Sequence, residues 1–301
     1  MGSDAIPLVP SVAGRTGRAR AGRVLRAARI IHPFPTLLNV AATFGLAFVA
    51  SRGVPDLPLL SRMLLLMLCA QGAIGVANDY FDRDLDARSK PWKPVAGGLI
   101  SARSAAALAL ALSGVSVALA ETLDVGGFLL ALLGLACGLA YDARLKRTVF
   151  SAAPYMVAIP TLPLWVWLTL GAWRPVLWWL LPVGALIGLA LHLQNTVADI
   201  EDDAAAGVLG LAHRLGAAWS MRIGWAVFGL ALAITAGLVP AVSYDLRWYV
   251  PAAVVAALCL AASIAAYASR RDAAALQLGF GLLGIGSAVL ATGWLAAVRG
   301  V

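Results

Sequence analysis

The sequence predicts an all-α polytopic membrane protein, and three observations carry that reading. Hydrophobic residues make up 61% of the 301 positions and charged residues 13%, against roughly 45–50% and 25% in an ordinary soluble domain. The apolar residues gather into nine runs, most of them near the ~20 residues that a helix needs to cross ~30 Å of hydrocarbon. The basic residues divide unequally between alternate connectors. A soluble fold of this size could not hide so much apolar surface, so the bilayer serves as its solvent. A secreted disulfide scaffold, a disordered chain and a nucleic-acid-binding domain are excluded. The expected organisation is a basic N-terminal arm over residues 1–30, then a single transmembrane domain over 31–301.

The nine runs lie at about 34–51, 58–78, 101–120, 125–141, 151–171, 176–196, 218–240, 250–268 and 274–298. The second, fourth and sixth pass directly into polar sequence, which makes their ends the places to look for chemistry. The fifth carries Pro154, Pro160 and Pro163 and is expected to be kinked or broken. Trp165, Trp167, Trp173, Trp178 and Trp179 flank the junction of the fifth and sixth runs, as in an aromatic belt at a membrane surface; any of them could equally line a cavity. Cys69, Cys137 and Cys259 all fall inside apolar runs and read as small hydrophobes, with neither a disulfide framework nor a paired metal motif. No short apolar core with a small-residue cleavage site precedes His32, so a cleavable signal peptide is not expected.

Eighteen of the 23 lysines and arginines fall in the arm and in the connectors after runs two, four, six and eight. The other five are Arg52, Arg62, Arg174, Arg247 and Arg299. That split is a positive-inside signal, which places the N-terminus in the cytoplasm and, with nine spans, the C-terminus outside. The net charge of +8 is therefore mainly topology, with a contribution toward anionic lipid or substrate.

Eight of the 15 acidic residues lie in two short segments, Asn78 to Asp86 and Asn195 to Asp203. Both sit where a long apolar run reaches the predicted cytoplasmic face. On a helix Asp79, Asp82 and Asp86 share one face while Asp84 points elsewhere, and Asp199 and Asp203 also share a face. Stacked carboxylates at a membrane interface need compensation, and a divalent cation supplies it. Carboxylates accompanied by an amide, Asn78 in one segment and Asn195 in the other, suit Mg²⁺, which shares its shell with water and substrate phosphates. Arg88, Lys90 and Lys93 follow the first segment, and Tyr141, Arg144, Lys146 and Arg147 follow run four. Arg88, Lys93, Arg144 and Lys146 are candidate ligands for the free oxygens of a diphosphate, and the Tyr141 ring for a cation beside it. The same basic residues also serve as anchors in the positive-inside pattern.

These motifs resemble those of the UbiA superfamily of intramembrane prenyltransferases. Asn78, Asp79, Asp82 and Asp86 match its Asn-Asp-x-x-Asp-x-x-x-Asp motif. Asp199 and Asp203 match its Asp-x-x-x-Asp motif, followed by Gly207 and Leu215-Gly216, and Tyr141 with Lys146 matches the stretch after its fourth helix. Two departures stand out: Lys93-Pro94 where the family often has Arg-Pro, and Gly207-Val208-Leu209-Gly210-Leu211 where it often has Gly-x-x-Thr-Leu. The resemblance implies nine helices around a lipid-open cavity under a cytoplasmic helical cap, in a bacterial or archaeal cell membrane. It implies an enzyme that binds a polyprenyl diphosphate through Mg²⁺ and transfers the prenyl group to a membrane-accessible acceptor, with membrane lipids as its surroundings. In that reading Asp79, Asp82, Asp199 and Asp203 hold the metals, helped by Asn78 and Asp86. Tyr141 and Lys146 assist ionisation, while Asn78, Arg88, Lys93, Arg144, Lys146 and Asn195 bind diphosphate.

Asn39 near the start of the first run, and His192 and Gln194 just before the second acidic segment, are candidate acceptor contacts. His192 can equally be an interhelical hydrogen bonder. The acceptor is expected to be an aromatic or quinone-precursor ring. A glycerol- or sugar-phosphate, a tetrapyrrole or cyclisation of the donor itself are alternatives. An ion-coupled transporter is the alternative of another class, although its carboxylates would be expected deep within several spans.

Overall fold

The computed structural model describes residues 26–198, 200, 207–270 and 272–298. The second acidic pair, Asp199 and Asp203, lies outside the described residues, as does the arm before Arg26. The described chain is helical throughout: α1 (Pro33–Ser51), α2 (Leu57–Phe81), α3 (Arg83–Ser89), α4 (Ala102–Ala120), α5 (Val125–Ala143), α6 (Ala153–Thr169), α7 (Leu180–Val197), α8 (Leu211–Leu215), α9 (Ala217–Gly237), α10 (Leu246–Ser269) and α11 (Ala273–Ala297). Among the described residues there is no sheet, only a single bridge between Tyr244 and Val298.

Eight of these helices are long and apolar enough to cross a membrane, α7 together with the short turn Pro175–Trp179 that leads into it. The ninth expected span is α6, which at 17 residues is shorter than the others. It runs as one helix through Pro160 and Pro163, without the break that was one of the two outcomes expected of its prolines. Its packing helps explain the continuity. Gly188 on α7 lies so close that an added Cβ would stand 2.4 Å from the Tyr155 carbonyl oxygen. Such close backbone approach lets neighbouring helices support a proline-bearing one in a membrane.

Helix ends are fixed by side chains chosen for the purpose. Asp56, Ser101, Asp124, Asp245 and Asp272 each accept a hydrogen bond from the first turn of the helix that follows, satisfying amides that a helix start leaves unpaired. Four of the seven acids outside the two acidic segments thus serve as caps.

Helices α1, α2, α5 and α6 pack around a shared space, α4 flanks α2, and α7 joins α6 to the α9, α10 and α11 group. The main hydrophobic core is weighted toward the half of the bundle away from the acidic connectors. Met63 and Leu66 from the start of α2, Trp165 to Trp167 from the end of α6, Leu177 before α7, and Trp294 near the end of α11 all belong to it. Exposed Leu110, Leu129, Val254 and Leu258 cover the outside, the surface that hydrocarbon would solvate. Buried Asp79, Asp82, Asp86 and Asp142 lie toward the other end. Replacing Gly188 with alanine should lower the apparent Tm in detergent, at a cost of about 1–3 kcal/mol from overpacking. Gly45→Ala, where an added Cβ meets open space, should stay within about 0.5 kcal/mol of the parent.

Candidate active site

The site is built on the α2–α3 junction. Helix α2 stops at Phe81 with Asp82 as its cap, yet the backbone stays close to helical: the Asp82 amide reaches the Asn78 carbonyl at 2.9 Å and the Asp86 amide reaches the Asp82 carbonyl at 2.7 Å. The acids therefore keep one face across the break. Asp79, Asp82 and Asp86 are 1%, 8% and 4% exposed. The Asp84 side chain, by contrast, is 89% exposed beside Arg83.

A fourth carboxylate, Asp142 near the end of α5, is also buried, and Asn78 ties it to the others. Asn78 Nδ2 donates to Asp142 Oδ1 at 2.9 Å and to Asp82 Oδ2 at 3.2 Å. Two lysines supply the opposing charge. Lys93 Nζ lies 2.6 Å from Asp86 Oδ2, 3.1 Å from Asp79 Oδ1 and 3.2 Å from Asn78 Oδ1. Lys146 Nζ lies 2.5 Å from Asp82 Oδ2 and 3.8 Å from Asp142 Oδ1. Burial works against the charge on Lys93, but its hydrogen bonds to Asp86 and Asp79 and the charges of both hold its ammonium above the ordinary value.

Two further basic side chains, His32 and Arg147, touch the cluster. His32 Nε2 is 2.9 Å from Asp79 Oδ1. It reaches there because His32 takes a left-handed turn, φ 49°, just before α1, and because Gly75 on α2 admits that turn. An added Cβ at Gly75 would stand 2.9 Å from the Ile31 carbonyl carbon. Arg147 lies 3.5 Å from Asp82 Oδ1. It does so in place of Arg144, which is exposed, because the chain leaves α5 through a short 3₁₀ turn, Leu145–Arg147, that redirects the side chains. Arg88 is also exposed, two residues from Asp86 and thus on the far side of α3.

Three buried carboxylate oxygens, Asp79 Oδ2, Asp82 Oδ1 and Asp142 Oδ2, have no hydrogen-bond partner. Buried oxygens of this kind are normally satisfied, and they are suitable donors to a hard divalent cation. Among the described residues no three metal-ligating side chains converge. Mg²⁺ does not require that, since it is commonly held by one or two carboxylates with water and phosphate completing its shell. The residues present fit such an ion.

Beside the carboxylates lies an aromatic group. The Tyr141 and Tyr155 rings meet edge to face at 5.4 Å, and His192 stands 5.1 Å from Tyr155 and 6.0 Å from Tyr141. The Tyr155 hydroxyl is in polar contact with Asn195 and Tyr141. His192 Nε2 is 2.9 Å from Ser151 Oγ, which also accepts the Leu211 amide, so His192 helps join the connector before α6 to that before α8. Gln194 faces the other way, against Ser263 on α10 and Gly224 on α9. A cavity of about 260 Å³ opens below the carboxylates between α1, α2, α5 and α6, and Asn39, Tyr141 and Tyr155 are among its lining residues. Asn78→Leu should cost about 1–3 kcal/mol of stability by leaving the carboxylates it bridges unsatisfied. Arg88→Ala and Arg144→Ala should shift it by no more than about 0.5 kcal/mol; thermal unfolding in detergent measures all three.

Comparison with known proteins points the same way. The model of the UbiA prenyltransferase family matches residues 38–285. A 4-hydroxybenzoate octaprenyltransferase from Alkalilimnicola ehrlichii is 30% identical over 246 residues, 80% of this chain and 83% of that protein. A digeranylgeranylglyceryl phosphate synthase from Methanopyrus kandleri is 30% identical over 221 residues, 72% of this chain and 80% of the other. Among solved structures, a UbiA homolog from Archaeoglobus fulgidus bound to GPP and Mg²⁺ superposes with a TM-score of 0.71 at 18% identity, covering 88% of this chain and 99% of that one. The buried acids, the cavity beneath them and the family match agree, and the chain belongs to the UbiA prenyltransferase family as a membrane-embedded prenyltransferase.

Proposed function

We propose that this enzyme transfers a prenyl group from a polyprenyl diphosphate to an aromatic or quinone-precursor acceptor, with Mg²⁺ as cofactor and release of pyrophosphate. The observation that carries the reading is the set of buried carboxylates with oxygens that lack a hydrogen-bond partner, together with a largely apolar, membrane-embedded cavity lined by Tyr141, the residue before Asp142. A prenyl diphosphate has the matching division: a hydrocarbon tail for the cavity and a charged head for the mouth. Mg²⁺, when bound, neutralises the diphosphate and stabilises it as a leaving group. In this assignment Asp79 and Asp82 hold metal, with Asn78 and Asp86 supporting them, and Asp199 and Asp203 complete the site from the second motif.

The chain's own groups do the remaining work. Lys93 and Lys146 carry protons at Nζ that can be donated to phosphate oxygens, and Arg147 offers a third donor at the exposed edge of the cluster. Tyr141 and Tyr155 line the cavity next to the carboxylates, where their ring faces would stabilise positive charge developing on the allylic carbon. The apolar walls keep water from that carbon. The acidic face is the cytoplasmic one in this reading, because the connectors on that side carry Lys90, Lys93, Lys146 and Arg147. The basic arm then lies in the cytoplasm and the C-terminus outside.

Purified enzyme in nanodiscs, given geranyl, farnesyl, geranylgeranyl or longer polyprenyl diphosphates with a panel of aromatic acceptors, should release pyrophosphate only with Mg²⁺. Chelation should abolish release, and Asp79→Asn should slow it roughly 100- to 1,000-fold. Prenylated ring products identified by mass spectrometry would establish the acceptor class. Release with no acceptor, accompanied by a cyclised hydrocarbon product, would overturn the transfer reading.

A further inference from the structure

Of the four buried carboxylates, Asp142 alone belongs to neither acidic segment, and it is the least compensated. Asp79 has His32 Nε2 at 2.9 Å and Lys93 Nζ at 3.1 Å, Asp82 has Lys146 Nζ at 2.5 Å, and Asp86 has Lys93 Nζ at 2.6 Å. Among the described residues Asp142 has no cation nearer than Lys146 Nζ at 3.8 Å, and that ammonium is already committed to Asp82. The residue is 3% exposed. It lies in the last turn of α5, where the helix dipole favours positive charge and opposes a carboxylate. Its Oδ2 has no hydrogen-bond partner among the described residues. Burial, the dipole and the open oxygen all count against an acid here unless a cation joins it.

Asn78 shows which other acid would share that cation. The hydrogens of its Nδ2 go to Asp142 Oδ1 at 2.9 Å and to Asp82 Oδ2 at 3.2 Å. One amide thereby holds two carboxylates from different helices side by side, and it takes only one oxygen of each. The oxygens left over, Asp82 Oδ1 and Asp142 Oδ2, are both buried without a hydrogen-bond partner. The exposed Arg147 guanidinium approaches Asp82 Oδ1 only to 3.5 Å. A neutral amide carbonyl at position 142 could accept from Asn78 equally well without the cost of a buried charge, so accepting that bond does not account for an acid.

We propose that Asp142 is a further metal ligand, holding one Mg²⁺ jointly with Asp82, with water and diphosphate oxygens completing the shell. Two carboxylates are the usual protein share of such a site. This assignment rests on the reading of the cluster as an Mg²⁺ and diphosphate site, and adds to it a ligand from α5 that neither acidic segment supplies. Asn78 is then the positioning residue of the pair. Both hydrogens of its Nδ2 go to the two acids, and its Oδ1 accepts from Lys93.

The test measures metal occupancy rather than turnover. Enzyme in nanodiscs is dialysed to equilibrium against Mn²⁺, standing in for Mg²⁺, with and without inorganic pyrophosphate, and empty nanodiscs are the blank. Asp142→Asn keeps an oxygen for Asn78 and removes only the charge; it should weaken Mn²⁺ binding at least about 10-fold. Asp84→Asn, at an exposed acid, should leave binding unchanged. If one ion is shared, the combined Asp82→Asn and Asp142→Asn losses should fall short of the product of the single ones. Binding by the Asp142→Asn protein as tight as the parent's overturns the assignment and leaves Asp142 as a partner of Asn78 alone. Asp142→Cys gives a second route should the asparagine variant not fold. Its thiolate would bind soft Cd²⁺ directly, giving an ultraviolet charge-transfer absorption that the unmodified protein lacks. A folded cysteine variant without that absorption also overturns the assignment. Should the unmodified, folded protein bind no Mn²⁺ in either condition, the Mg²⁺ reading of the whole cluster fails instead.

Discussion

Four carboxylates buried together at the end of two membrane helices repel one another and cannot turn to water for relief, and much of the surrounding architecture answers that repulsion. Asp79, Asp82, Asp86 and Asp142 are each at most 8% exposed. Burial of uncompensated charge costs several kcal/mol per group even after relaxation, a sizeable share of what holds any fold together. Lys93 and Lys146 are therefore needed before any substrate is considered. The two connectors that deliver them follow from the same need. The segment after α3 turns back so that Lys93 bridges Asp79 and Asp86, and the 3₁₀ turn after α5 brings Lys146 and Arg147 onto Asp82. Asn78 completes the arrangement as a neutral linker, donating to two acids and accepting from a lysine.

Large apolar side chains and buried charge occupy different parts of the bundle. Large side chains such as Trp165, Phe228, Leu290 and Trp294 fill the half away from the acids. There the helices hold one another by close packing rather than by any hydrophobic drive against lipid. Leu66 and Trp165 of that core also line the cavity between α1, α2, α5 and α6. A rigid far half fixes the angle at which α2 and α5 present their last turns, and that angle determines whether Asn78 can reach Asp142 on the other helix. Close approach of α6 to α7 through Gly188 belongs to the same logic, since it sets Tyr155 of α6, which lines the cavity, against His192 of α7.

How much of this was legible in the sequence depends on how local each feature is. The spans and the Asp79, Asp82 and Asp86 face were readable, because hydrophobic runs and the 3.6-residue period are local properties and the backbone stays near-helical across Asp82. The shorter, unbroken α6 was not, because proline content predicts a break only where neighbouring helices do not support the backbone. Arg147 displaced Arg144 at the cluster because the helix ended in a 3₁₀ turn, a matter of one residue that no periodicity records. His32 joins Asp79 across 47 positions by way of a left-handed turn seated on Gly75, a tertiary fact. Asp142 had left a trace, as an acid four residues before Lys146, but its burial came from Asn78 on another helix. Gln194 and Asn195 show the limit within one helix: adjacent residues differ by about 100°, so one meets Ser263 while the other meets Tyr155. Asp199 and Asp203 lie outside the described residues, and their part in the site rests on the motif.

The separation of charge from depth has a consequence for how two substrates can share one cavity. The basic groups that pair with the carboxylates lie outside the cavity lining, and no lysine, arginine or histidine lines the cavity wall among the described residues. A diphosphate is therefore drawn to one end only, which orients the donor with its reacting carbon at the boundary between the charged and neutral zones. A cation deeper in the wall would give the diphosphate a second place to bind, with the reacting carbon misplaced.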